Sequence, residues 1–428
     1  MRLPSAAAAT VWLYGIYCFV RRYYGEAVAY TAVWMFVGSL QINLIAKSAI
    51  ADALLNMAVS GAMLSWWQYI EHKQKQDLLV GYCLIGLGIL TKGPIAIIIP
   101  ILALGTYALT KKSVGFLYDM LVYPWGWIGL LSICMPWYLA ELYDQGWAFV
   151  EGFFWQHNMH RALSVMETHS GGYGYYIPVI LLGLMPFSAY LGCVAASWRR
   201  LWACERERFL LCWALSVFGF FTIVSTKLPH YVLYGYTPCI ILMAVYGKNW
   251  WSDRRFLLGP ALGLTVLLSA LPWVFAYVMT VSQDNMLQAV APRVVSLFKI
   301  EYQLLLWGSM VLLVGGLSWS GWQSYRPMLL AVWSCWLLHF LLMPRVAAVL
   351  QDPVYEAAML VKEHDYKVTM YRMHTPSFAF YSARIPARRS PLPGDVVLTR
   401  SWYLSDFTDY SILYNQGGVV LVRLADDH

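Results

Sequence analysis

The chain has 428 residues, of which 60% are hydrophobic and only 12% charged, with a formal net charge of +7. A soluble domain carries about 25% charged residues, so this chain has too little polar surface to cover a soluble core of its own size. Its basic residues lie in short loops between apolar runs, without a basic face or stripe, which excludes nucleic acid as a partner.

Twelve apolar runs are read as membrane spans, at about 4–20, 27–45, 50–68, 78–91, 94–109, 122–140, 176–196, 209–225, 230–247, 256–279, 303–320 and 327–343. The short fourth and fifth runs meet at Gly93-Pro94. Met1–Ser5 leads directly into the first run, so a cleaved signal peptide is not expected. The 21 tryptophans and 30 tyrosines suit a bilayer, because amphipathic rings gather at headgroup level. The eight cysteines fall in apolar runs or one basic loop without metal-ligand spacing, and read as small buried hydrophobes.

Loop charge sets the orientation. One set of connections holds Arg21, Arg22, Lys73, Lys75, Lys111, Lys112, Arg199, Arg200, Arg206, Arg208, Lys248, Arg254, Arg255 and Arg326, which is 14 basic residues. The alternate set, with the N-terminus, holds Arg2, Lys47, Lys92, Arg161, Lys227, Arg293 and Lys299, which is seven. The richer set is therefore expected to be cytoplasmic. Both termini then face outward.

Residues 345–428 change character. Asp352–Glu363 has the apolar spacing of an amphipathic helix, and strand-like runs follow at Lys367–Tyr371, Phe378–Tyr381, Val396–Thr399 and Gly418–Leu424. The expected organisation is an all-α polytopic membrane domain over 1–344 and a small α/β extramembrane domain over 345–428.

Polar residues at membrane depth are costly, so each is a candidate. Asp52 lies about one turn into the third span; it is either a helix N-terminal acid or a site carboxylate. Lys92, in Thr91-Lys92-Gly93-Pro94, either snorkels or binds an anion. In the long loop 141–175, Phe149, Phe153, Gln156-His157 and His160-Arg161 recur at helical spacing, as in a helix lying in the interface. His157 and Arg161, four apart, share one face and are suited to phosphate, directly or through a metal ion. Lys227 stands just before a helix started by Pro229, whose N-terminus favours anions. Lys92, Arg161 and Lys227 are thus cations at helix ends on one side, either three separate snorkelling residues or one converging site for a lipid-linked phosphate.

These segments carry a resemblance. Arg2-Leu3-Pro4-Ser5-Ala6, the Asp52 segment, Thr91-Lys92-Gly93-Pro94, Pro136-Trp137-Tyr138, His157-Asn158 with Arg161, Tyr175-Tyr176-Ile177-Pro178, Leu184-Met185-Pro186-Phe187 and Lys227-Leu228-Pro229-His230-Tyr231-Val232-Leu233 follow one another as in the GT-C glycosyltransferases of the aminoarabinose lipid A transferase and protein O-mannosyltransferase family. Pro376-Ser377 with Phe380-Tyr381 and Arg384 matches a tail pattern of the same family.

The resemblance implies transfer of a sugar from a polyprenyl-phosphate donor to a lipid, glycan or protein acceptor at the outer face of the inner membrane. It assigns Asp52 to the catalytic centre, Lys92, Arg161 and Lys227 to the donor phosphate, His230 and Tyr231 to substrate binding, and His157 to a divalent metal cation. It also implies one further helix and an acidic loop ahead of Met1, and Glu where this chain has Gln156. Without that loop the chain is expected to bind lipid phosphate but not to turn over. The alternative readings are a polytopic transporter or lipid flippase, against which the chain has no internal repeat, and a structural membrane protein with a partner-binding tail.

Overall fold

The computed structural model describes residues 2–111, 114–153, 171–251 and 253–425. Helix α1 (Leu3–Tyr24) carries Pro4 in its first turn, where the missing N–H has no helical partner to lose, and Arg21 and Arg22 in its last. Ser39 divides the second apolar run into α2 (Glu26–Gly38) and α3 (Leu40–Lys47), bent by 66°. The pair α4 (Asp52–His72) and α5 (Lys75–Lys92) reverses at Lys73, which adopts the left-handed conformation with φ 60°. Gly93, at φ +75°, ends α5 where an L side chain is disfavoured, and α6 (Ile95–Leu109) follows at once.

Short α7 (Gly115–Leu121) leads into α8 (Pro124–Gln145), then α9 (Trp147–Val150). The 176–196 run is two pieces, α10 (Tyr176–Gly183) and α11 (Tyr190–Ala196), rather than one helix. After them come α12 (Trp198–Ala203), α13 (Glu205–Ile223), a 3-10 segment Pro229–Gly235 and α14 (Tyr236–Tyr246). Helices α15 (Arg254–Val281), α16 (Asn285–Leu297), α17 (Ile300–Ser318), α18 (Arg326–Trp336) and α19 (Met343–Leu350) complete the apolar part.

All twelve apolar runs therefore fall on helices. Among the described residues, four helical stretches are long and apolar enough to cross a membrane, and two bent pairs raise that to six. The remaining runs are shorter, carry more charge at their ends or, like α4 with Asn56, Ser60 and Gln68, hold polar residues within. This is a helical membrane protein with a small C-terminal sheet.

Two units divide the chain: 1–261 with 313–335, and 262–312 with 336–428. In the first, α4 packs on α1 and α5, α5 on α8, and α6 on α13. Small residues allow close approach. A Cβ at Gly86 would lie 2.7 Å from the Leu130 carbonyl oxygen, and one at Gly38 would lie 2.8 Å from the Ala331 Cα.

In the second unit, α20 (Asp352–Glu363) matches the expected amphipathic helix and buries Val354, Ala357, Ala358 and Val361. A four-stranded sheet runs in the order β1 (Val368–Met370), β2 (Val396–Arg400), β4 (Val419–Leu424), β3 (Tyr410–Gln416); β1 and β2 are parallel and the other pairs antiparallel. The strand expected at Phe378–Tyr381 is instead helix α21 (Pro376–Ser382). Pro376 in its first turn favours a helical start, and Phe378 and Ser382, four apart, share its buried face. Strand β3 lies beyond the expected runs, because its mostly exposed residues at the sheet edge lack an alternation of apolar and polar.

Candidate functional site

Asp52 and Lys92 are brought together by the antiparallel pairing of α4 and α5. Asp52 is the first residue of α4 and Lys92 the last of α5, so each charge complements the macrodipole of its own helix. Lys92 Nζ donates to Asp52 Oδ1 at 2.7 Å. The carboxylate is 4% exposed. A buried carboxylate needs such a partner, since desolvation otherwise disfavours its charge.

The 3-10 segment Pro229–Gly235 closes over this pair. Its period of three places Tyr231 and Tyr234 on one side. Tyr234 Oη donates to Asp52 Oδ1 at 3.0 Å and lies 3.5 Å from Lys92 Nζ. The Lys92 ammonium sits 5.9 Å from the Tyr231 ring centroid, and Phe221 packs against both tyrosines. His230 stacks edge-on to Tyr231. Asp52, Lys92, His230 and Tyr231 thus form one neighbourhood.

Lys227 stands two residues ahead of the same segment. Its ammonium donates to the carbonyls of Thr222 (2.7 Å) and Val224 (3.0 Å), the free carbonyl end of α13, and lies 5.8 Å from the Tyr176 ring centroid. It is 5% exposed. Its hydrogen-bond and ring partners are separate from those of Lys92. His157 and Arg161 lie outside the described residues. Phe149 and Phe153, ahead of them, stack with centroids 5.6 Å apart, and Phe153 also meets Tyr138.

Two features escaped the sequence reading. One is Tyr234, which is 1% exposed and bridges the ion pair; its signal was the spacing of three from Tyr231 behind Pro229. The other is a polar ladder on α4. Asn56 Nδ2 donates to the Asp52 carbonyl at 2.8 Å, and four residues on Ser60 shares a hydrogen bond with Thr237, which accepts from Trp12 Nε1 at 2.7 Å. Polar residues at i, i+4 and i+8 in an apolar span were the available signal.

Among the described residues no three His, Cys, Asp or Glu side chains converge as metal ligands. Among the described residues Asp52 is the one carboxylate at the site, and Lys92 already neutralises it. The described residues therefore do not fit a divalent cation.

The chain is similar to known proteins in sequence and in fold. Residues 1–139 match the dolichyl-phosphate-mannose-protein mannosyltransferase family. The undecaprenyl phosphate-alpha-4-amino-4-deoxy-L-arabinose arabinosyl transferase of Edwardsiella ictaluri is 28% identical over 266 residues, covering 58% of this chain and 47% of the relative. That of Enterobacter sp. (strain 638) is 28% identical over 267 residues, covering 59% and 47%. The chain thus matches about half the length of these curated relatives. The crystal structure of ArnT from Cupriavidus metallidurans bound to undecaprenyl phosphate has the same fold, with a TM-score of 0.72 at 18% identity over 100% of this chain and 85% of that one. The apo form gives 0.73. The chain is thus similar in sequence to these transferases over the matched segments, and it has the fold of ArnT throughout its length.

Proposed function

We propose that the chain is a glycosyltransferase that moves a sugar from a polyprenyl-phosphate donor to a lipid, glycan or protein acceptor at the outer face of the inner membrane, with residues 345–428 extracytoplasmic. The observation that carries this is Lys92, a cation at a helix end, held on Asp52 beside Tyr231 and Tyr234. The related arabinosyl transferases, named for undecaprenyl phosphate-alpha-4-amino-4-deoxy-L-arabinose, support this donor class.

The chemistry is an inverting displacement. The acceptor hydroxyl oxygen attacks the anomeric carbon, the bond from that carbon to the phosphate oxygen breaks, and a base takes the hydroxyl proton. Negative charge builds on the departing polyprenyl phosphate. A preorganised ammonium stabilises it more strongly in this low-dielectric setting than water would. Lys92 fills that role, with Arg161 and Lys227 as further cations for the phosphate. Asp52 already accepts from Lys92 and Tyr234, so it acts here by positioning Lys92. His230 and Tyr231 face the substrate. No step is assigned to a divalent cation, because the carboxylate that would hold one is occupied by Lys92.

The test uses the purified full chain in lipid nanodiscs with a radiolabelled polyprenyl-phosphate sugar. Lys92→Gln is expected to weaken binding of polyprenyl phosphate at least tenfold and to abolish any sugar transfer. Wild-type protein that neither binds polyprenyl phosphate nor transfers sugar would falsify the reading.

A further inference from the structure

The second unit contains a basic pocket that the transfer reaction does not use. It has a volume of about 550 Å³ and is lined by Tyr371, Arg372, His374, Arg388 and Arg389, among others. Its position follows from the sheet. Thr369 of β1 bridges Ala387 in parallel, with Met370 N–H donating to the Ala387 carbonyl and Ala387 N–H to that of Val368. Two parallel segments therefore leave the sheet at the same end, one into Tyr371–His374 and the other into Arg388–Ser390. The carboxyl ends of adjacent parallel strands are where such sheets bind ligands.

The charges are unevenly matched. Arg372 pairs with Asp406 at 3.2 Å and Arg389 with Asp395 at 2.8 Å. Arg388 has no carboxylate among the described residues. Its guanidinium instead meets the His374 imidazole, with Nη2 2.9 Å from Nδ1. A guanidinium is always charged and has only donors to offer. A neutral ring nitrogen accepts one of its five N–H donors and supplies no countercharge, and a protonated imidazole would repel it. Backbone strain lies at the same place: Arg372 holds φ at 48°, a conformation rare for a non-glycine residue, while its guanidinium lies between the Tyr371 and Tyr403 rings at 5.4 and 5.3 Å from their centroids. The rings and Asp406 fix Arg372 as a wall, and Arg388 and His374 are left exposed as donors.

We infer that this pocket is an anion site for a phosphate monoester, held by the Arg388 guanidinium and the His374 ring. Phosphate supplies the acceptors that the pair lacks: Arg388 donates in fork geometry and His374 from a ring N–H. The same chemistry is offered by a phosphorylated lipid headgroup and by free phosphate. The site is independent of the proposed glycosyl transfer, since none of its residues belongs to the Asp52–Lys92 neighbourhood.

The experiment measures equilibrium binding of radiolabelled inorganic phosphate to the full-length protein in phosphatidylcholine nanodiscs, with dioctanoyl phosphatidic acid as competitor. Saturable binding is expected, weakened at least tenfold by Arg388→Gln and several-fold by His374→Gln. Lys362→Gln, which removes one charge from an exposed position on α20, should leave it unchanged. Displacement by phosphatidic acid at far lower concentration than by unlabelled phosphate assigns the site to a lipid headgroup; equal displacement assigns it to free phosphate. Because Arg388 is exposed, its variant should unfold at the wild-type temperature. The inference is overturned if no saturable binding occurs with either probe, if Arg388→Gln binds as wild type does, or if Lys362→Gln weakens binding as much as Arg388→Gln.

Discussion

At the scale of single residues, the Asp52–Lys92 pair is both the centre of the proposed site and a structural element. Asp52 is buried and Lys92 is 30% exposed, so removing one member leaves the other charge only partly hydrated, at a cost of about 1–3 kcal/mol. Asp52→Ala is therefore expected to lower the unfolding temperature in detergent micelles sharply. The double variant Asp52→Leu with Lys92→Met should be less destabilised, because neither charge then remains. Equal loss in the single and double variants would show that the pair contributes nothing as a pair. A second residue-scale expectation concerns Asp395. Burial raises its carboxyl pKa, but the Leu392 N–H, the Arg389 guanidinium and the Thr369 hydroxyl outweigh burial and hold it below the ordinary aspartate value. A depressed carboxyl stabilises the fold above its unfolded value, near 4, and that contribution is lost as pH falls through the lower folded value. Acid unfolding of the tail, followed by tryptophan fluorescence of Trp402, should shift less with pH below about 4 in Asp395→Asn than in wild type. Asp52 and Lys92 were legible in the sequence because a charge at membrane depth is costly and so stands out. Tyr234 was not: with 30 tyrosines in the chain, one more carries no signal until the 3-10 segment turns it onto Asp52.

At the scale of elements, the helices were legible because the apolar runs and their charged ends are long. Their breaks were harder to see. Ser39 divides α2 from α3 after Gly38, and residues 184–189, which follow Gly183 and include Pro186, separate α10 from α11; since Pro100 and Pro136 lie inside continuous helices, such residues do not mark a break by themselves. Phe378–Tyr381 reads as a strand from its aromatics, yet Pro376 and the buried face through Phe378 and Ser382 make it a helix. Packing between helices depends on positions that composition does not distinguish. Gly86 of α5 faces the α8 backbone so closely that a Cβ would meet the Leu130 carbonyl oxygen at 2.7 Å and the Ile133 Cβ at 3.2 Å. At Gly105 of α6 a Cβ would meet nothing within 4 Å. Gly86→Ala should thus cost about 1–3 kcal/mol by forcing α5 from α8, whereas Gly105→Ala should be neutral or slightly stabilising. Thermal unfolding of the two variants in the same detergent checks the contrast; equal effects would show that the α5–α8 contact is not tight.

At the scale of the whole molecule, the side of the membrane on which the site opens follows from two helices. Helix α5 has 18 residues from Lys75 to Lys92 and α4 has 21 from Asp52 to His72. At 1.5 Å per residue they are about 27 and 32 Å long, close to the roughly 30 Å hydrocarbon core. Their antiparallel pairing puts Asp52 and Lys92 at one end, joined by a 2.7 Å hydrogen bond, and His72, Lys73 and Lys75 at the other. If α4 and α5 both cross the membrane, the site lies on the side opposite Lys75. The loop charges place Lys75 in the basic-rich set of 14 against seven, so it is expected inside and the site outside. The tail follows from the same alternation and is expected outside. In a chain whose native cysteines are replaced by alanine, a membrane-impermeant maleimide applied to intact spheroplasts should label Gln283→Cys and Ser390→Cys. It should label Lys75→Cys only after lysis. These three positions are exposed on the protein surface, so failure to react reports the membrane and not burial. Labelling of Lys75→Cys from outside would place Asp52 and Lys92 on the cytoplasmic face. A donor held at the outer leaflet could not then reach Lys92, and the proposed extracytoplasmic transfer would fall with the topology.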